Sequence, residues 1–224
     1  MTFHLLKLQN TPILEQLRLE EALLRADDRN WILINQGSPP AIVMGISGKP
    51  DQLLHSQPFP LIKRFSGGGT VVVDEETLFI TLLGNHTVLP FKPFPERLMR
   101  WTDQFYSPLG ISLRDNDYVI GDRKCGGNAQ YIQKSRWLHH TSFLWDYSPE
   151  KMSCLKVPEK QPTYRANRPH TDFLTPLRSH FKSPEHFLDA LVGQLSDHLS
   201  LTKVTRDTAI PALHQPHRKT TRVS

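Results

Sequence analysis

Apolar residues recur along this chain with two different periods. From Ile13 to Ala26 (ILEQLRLEEALLRA) they fall at Ile13, Leu14, Leu17, Ala22 and Leu24 among strong helix formers, which predicts an amphipathic helix. Thr11-Pro12 ahead of it supplies an N-cap and a first-turn proline. Trp31-Ile32-Leu33-Ile34-Asn35 reads as a buried strand ended by Gly37-Ser38-Pro39-Pro40, and Ala41 to Gly45 reads as its partner. Short strands at Leu61–Arg64 and Thr70–Val73 flank a glycine turn, and Leu78–Leu83 is a further strand. A proline-rich connection, Pro90 to Pro95, precedes a helix over Glu96–Tyr106. Strands follow at Asp117–Ile120, Ala129–Gln133 and Trp137–Trp145, and Pro184 opens a last helix that runs to about His198.

Strands grouped between helices, rather than alternating strictly with them, predict an α+β fold: a mixed β-sheet flanked by α-helices. One domain over residues 1–200 accounts for the apolar runs. Residues 201–224 carry Arg206, Arg218, Lys219 and Arg222 with little to bury, and read as a basic, flexible tail.

Composition narrows the field. In 224 residues, 27 Lys and Arg stand against 22 Asp and Glu, for a net charge of +5. That surplus fits an anionic ligand or acidic protein partner. The basic residues do not gather with aromatics into a stripe, so nucleic acid is not the expected partner. Cys125 and Cys154 form neither a CxxC nor a metal spacing and point to a reducing compartment. No run approaches the roughly 18 apolar residues of a membrane span, and MTFHLLKLQNTP lacks a long apolar signal core; no membrane association and a cytoplasmic location are expected.

The chemistry begins at Lys63-Arg64-Phe65-Ser66-Gly67-Gly68-Gly69-Thr70-Val71-Val72-Val73-Asp74. A P-loop or dinucleotide fingerprint needs a helix after its glycines. The β-branched run here favours strand instead. Three glycines between strands can aim several N–H groups at one anion, or simply make a tight hairpin with positive φ. A second segment, Asn116-Asp117-Tyr118-Val119-Ile120-Gly121-Asp122-Arg123-Lys124-Cys125-Gly126-Gly127-Asn128-Ala129, again runs from strand into glycines, with Lys124 at the bend. A third, Leu138-His139-His140-Thr141-Ser142-Phe143-Leu144-Trp145, is a strand with paired histidines.

RFSGGGTVVVD, NDYVIGDRKCGGNAQ and LHHTSFLWD, in this order and with the LRLEEALLR helix before them, resemble the signature segments of the lipoate–protein ligase A family over residues 10 to 180. The resemblance implies a biotin/lipoate-ligase-like fold in a single domain. It also implies activation of lipoate by ATP, with Mg2+, to a lipoyl-adenylate, followed by transfer to a lysine of a lipoyl domain. Octanoyltransferases share the fold and draw octanoate from an acyl carrier protein without ATP. The implied acceptors are the lipoyl domains of 2-oxoacid dehydrogenase E2 subunits and the glycine-cleavage H protein.

Carried onto this sequence, the resemblance makes Lys124 the catalytic cation, stabilising charge that builds on phosphate and carbonyl oxygens. Arg64 offers a bidentate fork to a carboxylate or phosphate. Ser66, Gly67, Gly68 and Gly69 admit the ligand closely. Asn116 and Asp117 sit near the nucleotide, with Asp117 as a ligand for Mg2+. Gly127, Asn128 and Ala129 contact the adenylate, and His140 stands near the acyl pocket. Each position has a plainer reading: a turn lysine, a strand-end arginine, turn chemistry for Asn-Asp, a structural strand histidine. The cysteines read as small buried hydrophobes, and an acyl-thioester nucleophile is the sharper alternative for either.

Some positions depart from the family's pattern. Gly45-Ile46-Ser47-Gly48 lacks an arginine that often follows the second strand, Val73 replaces a histidine, and Thr141 replaces the glycine of an HHGT segment. Beyond about residue 200 the chain has too little apolar sequence for the extra C-terminal domain of many bacterial ligases. A separate accessory subunit, a self-sufficient single domain or transfer alone would each meet that difference.

Overall fold

The computed structural model describes residues 1–157, 161–214 and 219–223. In chain order the elements are β1 (Thr2–Gln9), α1 (Ile13–Ala26), β2 (Asn30–Gln36), β3 (Ala41–Met44), α2 (Pro50–Leu53), β4 (Leu61–Lys63), β5 (Val71–Val73) and β6 (Thr77–Asn85). Then come α3 (Pro95–Tyr106), β7 (Ser112–Arg114), β8 (Asp117–Ile120), β9 (Arg123–Ile132), β10 (Arg136–Leu144), α4 (Pro149–Met152) and α5 (His170–Phe173). The chain closes with α6 (Pro184–His198), β11 (Ser200–Val204), α7 (Ile210–Leu213) and β12 (Thr221–Val223).

An eight-stranded mixed sheet, ordered β11-β1-β2-β6-β10-β9-β8-β7, forms the middle layer. Strand β2 shows why: its alternate residues bury on opposite faces. Ile32 and Ile34 join Phe3, Leu5, Ile80 and Leu82 beneath α3 and α6, with Phe105, Phe187 and Leu191. Trp31 and Leu33 face the other way, onto Leu19, Leu23 and Leu24 of α1. A second sheet, β12-β4-β3-β5, lies beyond α1 and packs Val43, Ile62 and Val73 against Ile13 and Leu17.

Strand pairing departs from the sequence reading in one place that matters. Strand β3 does not pair with β2; it joins β4 in parallel and β5 in antiparallel fashion. Because β4 and β5 flank β3, the Ser-Gly-Gly-Gly segment between them is not a hairpin but a crossing over the end of β3. The start of α1 also differs: Pro12 occupies the cap position without a side-chain cap, and the Ile13 N–H is taken by Ser38 Oγ at 3.0 Å.

The stretch expected as a frayed tail is built into the fold wherever it is described. Strand β11 extends the large sheet parallel to β1, Ala209 and Ala212 bury beneath α1, and β12 pairs antiparallel to β4. Two small alanines and a backbone ladder accomplish this with little apolar bulk. Arg206 reaches Glu15 at 3.0 Å and Lys219 reaches the Tyr131 hydroxyl at 3.1 Å; Arg218 lies outside the described residues.

Glu21, fully buried, receives the Thr220 N–H at 3.0 Å and so ties the final strand to α1. Burial opposes its charge, but the Thr220 bonds and the Arg25 guanidinium prevail and hold the carboxyl below its ordinary value of 4.5. A depressed carboxyl stabilises the fold above its unfolded pKa and loses that contribution as pH falls through the folded one. Glu21→Ala is therefore expected to cost roughly 1–3 kcal/mol at pH 7 in urea denaturation. The gap from wild type should narrow at pH 3, and a gap independent of pH would contradict the assignment.

Candidate active site

The crossing segment is shaped by Arg64. Its guanidinium donates to Ser66 Oγ (3.1 Å), the Gly67 carbonyl (2.6 Å) and the Gly69 carbonyl (2.9 Å). Burial pushes its pKa down to about 10, which still leaves a cation at neutral pH. Arg64 thus lines the cavity but spends its fork on the loop itself. With those carbonyls turned inward, the N–H groups of Gly67, Gly68 and Gly69 have no backbone partner among the described residues, the arrangement of an anion nest. A Cβ on Gly67 or Gly69 would meet nothing; of the two, Gly69 lines the cavity and Gly67 does not. Gly68 has φ of +98° and its Cβ would lie 2.7 Å from Arg64 Nη2. Gly45, beneath it, is required because its Cβ would sit 2.4 Å from the Gly68 carbonyl.

A buried polar chain fastens this loop to α1. Glu20 takes hydrogen bonds on one oxygen from Thr81 Oγ1 (2.6 Å) and Gln16 Nε2 (2.8 Å), and its other oxygen meets His140 Nδ1 at 3.1 Å. His140 Nε2 lies 3.2 Å from Ser66 Oγ. As a carboxylate, Glu20 accepts from all three, which puts the imidazole proton on Nδ1 and lets the Ser66 hydroxyl donate to Nε2. Carboxylate, imidazole and hydroxyl follow the order of a nucleophilic triad. Ser66, however, is fully buried and does not line the cavity, so the chain anchors the loop rather than attacking a substrate.

Lys124 stands in β9, not at a bend. The turn is made by Gly121 and Asp122, and the register shift between Tyr118 and Val119 bulges β9 beside Lys124. Gly126 is there for packing: its Cβ would lie 2.6 Å from the Phe143 ring. Lys124 Nζ meets Asp117 Oδ1 at 2.6 Å, and the Tyr164 hydroxyl donates to Asp117 Oδ2 at 2.9 Å. Asn116 is exposed and its carbonyl accepts from Asn128 Nδ2 at 2.7 Å. Both Asp117 oxygens are thus engaged, and no group of three metal-ligating side chains stands among the described residues.

These segments meet around one cavity of about 970 Å3. Arg64, Gly68, Gly69, Asn116, Asp117, Lys124, Gly127, Asn128, Ala129 and His140 all line it, together with apolar Ile13, Leu17, Val43, Val71 and Phe79. The paired histidines divide by strand alternation. His140 faces the cavity, whereas His139 is buried with Tyr118 and Gln130 and is pushed down to about 3, first by burial and then by His140. Cys125 and Cys154 are buried outside the lining, and burial raises both thiols, Cys125 to about 12. Neither is placed as an acyl acceptor.

Sequence reasoning passed over Glu20, Tyr164 and Arg165. Glu20 had a signal: 13, 17, 20 and 24 follow helical spacing, so a glutamate stood on the apolar stripe of α1. Two glycine substitutions test the loop geometry by urea denaturation. Gly68→Ala is expected to cost about 1–3 kcal/mol for left-handed backbone and crowding. Gly69→Ala, into open space, should stay within about 1 kcal/mol of wild type. Equal effects would refute the described loop.

The sequence profile described as "Lipoyl protein ligase A/B catalytic domain" matches residues 12–212. Among curated relatives, an inactive lipoate–protein ligase 2 of Plasmodium falciparum is 24% identical over 265 residues, covering 86% of this chain and 69% of its own. Alignments to other ligase-named relatives cover only 26% to 31% of those longer chains. Among solved structures, a lipoate-protein ligase A bound with ATP superposes with a TM-score of 0.77 at 18% identity, over 96% of this chain and 95% of that one. A Thermoplasma acidophilum ligase, described as bi-partite and studied with its E2 lipoyl domain, gives 0.75 at 18% identity over 96% and 93%; a structure with bound lipoic acid gives 0.72, also at 18%, over 96% and 94%. Those likenesses establish the fold, and the match across residues 12–212 places this chain in the lipoyl protein ligase A/B catalytic domain family.

Proposed function

We propose that this chain joins lipoate to one lysine of a lipoyl domain through a lipoyl-adenylate made with ATP. The observation that carries the reading is the division of this cavity's lining. Ile13, Leu17, Val43, Val71 and Phe79 offer an apolar wall for an acyl chain, while Lys124 and the open glycine amides offer positive charge for its activated end. The ATP, lipoic acid and E2 lipoyl domain of the solved relatives support the same assignment.

In the first step the lipoate carboxylate attacks the α-phosphorus of ATP and pyrophosphate leaves. In the second the acceptor lysine's amine attacks the acyl carbonyl, and AMP departs with the electron pair of the broken anhydride bond. Both steps place negative charge on oxygens beside Lys124, whose ammonium is pre-positioned by Asp117. Mg2+ in this scheme arrives on the ATP phosphates, and no step is assigned to it. Acceptors in this reading are E2 lipoyl domains or the glycine-cleavage H protein. No helix among the described residues is long and apolar enough to cross a membrane.

The alternative is octanoyl or lipoyl transfer without ATP. Transfer through a cysteine loses support from the burial of both thiols.

Intact mass spectrometry of apo lipoyl domain incubated with the protein, lipoate, Mg2+ and ATP should show a lipoyl mass that is absent without ATP. Lys124→Ala should keep its fold and lose about a hundredfold or more of the rate. Modification only from preformed lipoyl-adenylate or octanoyl carrier protein would replace the ligase by a transferase. Near-normal rates in Lys124→Ala would remove Lys124 from the chemistry.

A further inference from the structure

The cavity wall opposite α1 carries an arginine that none of the three signature segments contains. Arg165 ends a single helical turn, Thr163–Arg165, and is only 3% exposed, yet it lines the cavity. Its Nε donates to the Arg168 carbonyl at 3.0 Å, and its guanidinium carbon lies 4.8 Å from the centre of the Phe173 ring. Its Nη2 has no hydrogen-bond partner among the described residues. A buried charged donor without an acceptor is costly, and the same residue borders the cavity.

The surrounding turn is built to hold this side chain in place. Ala166 and Asn167 both adopt left-handed backbone, with φ of 49° and 59°, which is unfavourable for residues with side chains. Arg168 clamps the turn by donating to Asp122 Oδ2 (3.0 Å), the Asp122 carbonyl (2.8 Å), the Tyr164 carbonyl (3.0 Å) and the Arg165 carbonyl (3.2 Å). Tyr164, next in sequence, binds the same Asp117 that holds Lys124. Arg165 and Lys124 therefore border the same part of the cavity. His170 senses both: burial first, and then these two cations, lower its pKa.

We propose that Arg165 is a phosphate-binding residue, whose incompletely partnered guanidinium acts with Lys124 to grip the phosphoryl oxygens of the adenylate. The assignment rests on the ligase reading above. Two cations exceed what a single carboxylate such as Asp117 neutralises, and a guanidinium suits phosphate oxygens. The acyl wall is contributed by other elements, α1, β3, β5 and β6, so the free carboxylate of lipoate is the less favoured occupant.

Isothermal titration with AMP, ATP and lipoate, each added separately, tests this. Arg165→Gln should weaken AMP and ATP by roughly tenfold to a hundredfold and leave lipoate within about twofold. Arg165→Lys should recover part of the loss, since it restores charge without the fork. Unchanged nucleotide affinity, or an equal loss for lipoate, would overturn the proposal and leave the ligase reading standing. Wild-type protein that binds lipoate but neither nucleotide would overturn both. Should Arg165→Gln fail to fold, Arg165→Lys decides alone: a selective severalfold loss for nucleotides supports the role, and wild-type affinity refutes it.

Discussion

Burying the Glu20 carboxylate is the constraint on which the site depends. A buried carboxylate is tolerated only when donors surround it, and this one draws its donors from α1 itself (Gln16), β6 (Thr81) and β10 (His140). Satisfying Glu20 fixes how α1 sits on the large sheet. It also orients His140 and, through Ser66, the first residue of the glycine crossing. Arg64 then curls the crossing around its own guanidinium. An anion-binding loop with no helix behind it needs such an anchor, because three glycines have little conformational preference of their own.

Strand alternation does the rest of the placement. In β10 it sends His140 to the cavity and His139 into the core; in β9 the bulge at Cys125 interrupts it, and Lys124 lines the cavity while Cys125 is buried. Alternation and its one interruption thus supply the cation and withhold the thiol. The short β3, β4 and β5 pack against Ile13 and Leu17 of α1 and against Phe79 of β6, and α1 contributes Ile13, Gln16, Leu17 and Glu20 to the cavity.

Much of this could be read before any coordinates, and the reasons differ by residue. The bounds of α1 and α6 were legible because helical periodicity and flanking prolines are local. The partner of β3 was not legible, since parallel pairing with β4 is long-range and neighbouring strands in sequence need not be neighbours in a sheet. Lys124 was placed at a bend because Gly126-Gly127 looked like a turn; Gly126 instead makes room for Phe143. The inward use of Arg64 was hidden because its acceptors are backbone carbonyls, which every sequence has. The C-terminal stretch was misread because its anchoring depends on Glu21 and on a ladder with β4, neither visible in its own composition.

The account stands most directly on the claim that Glu20 holds the glycine crossing. Hydrogen exchange read by mass spectrometry, comparing wild type with Glu20→Ala, addresses it. Faster exchange, by about tenfold or more, is predicted for the Ile46 amide, which donates to the Ser66 carbonyl, and for the Arg64 amide, which donates to the Met44 carbonyl, with residues 31–36 of β2 unchanged. Equal exchange at these two amides, or an increase shared by β2, would contradict it.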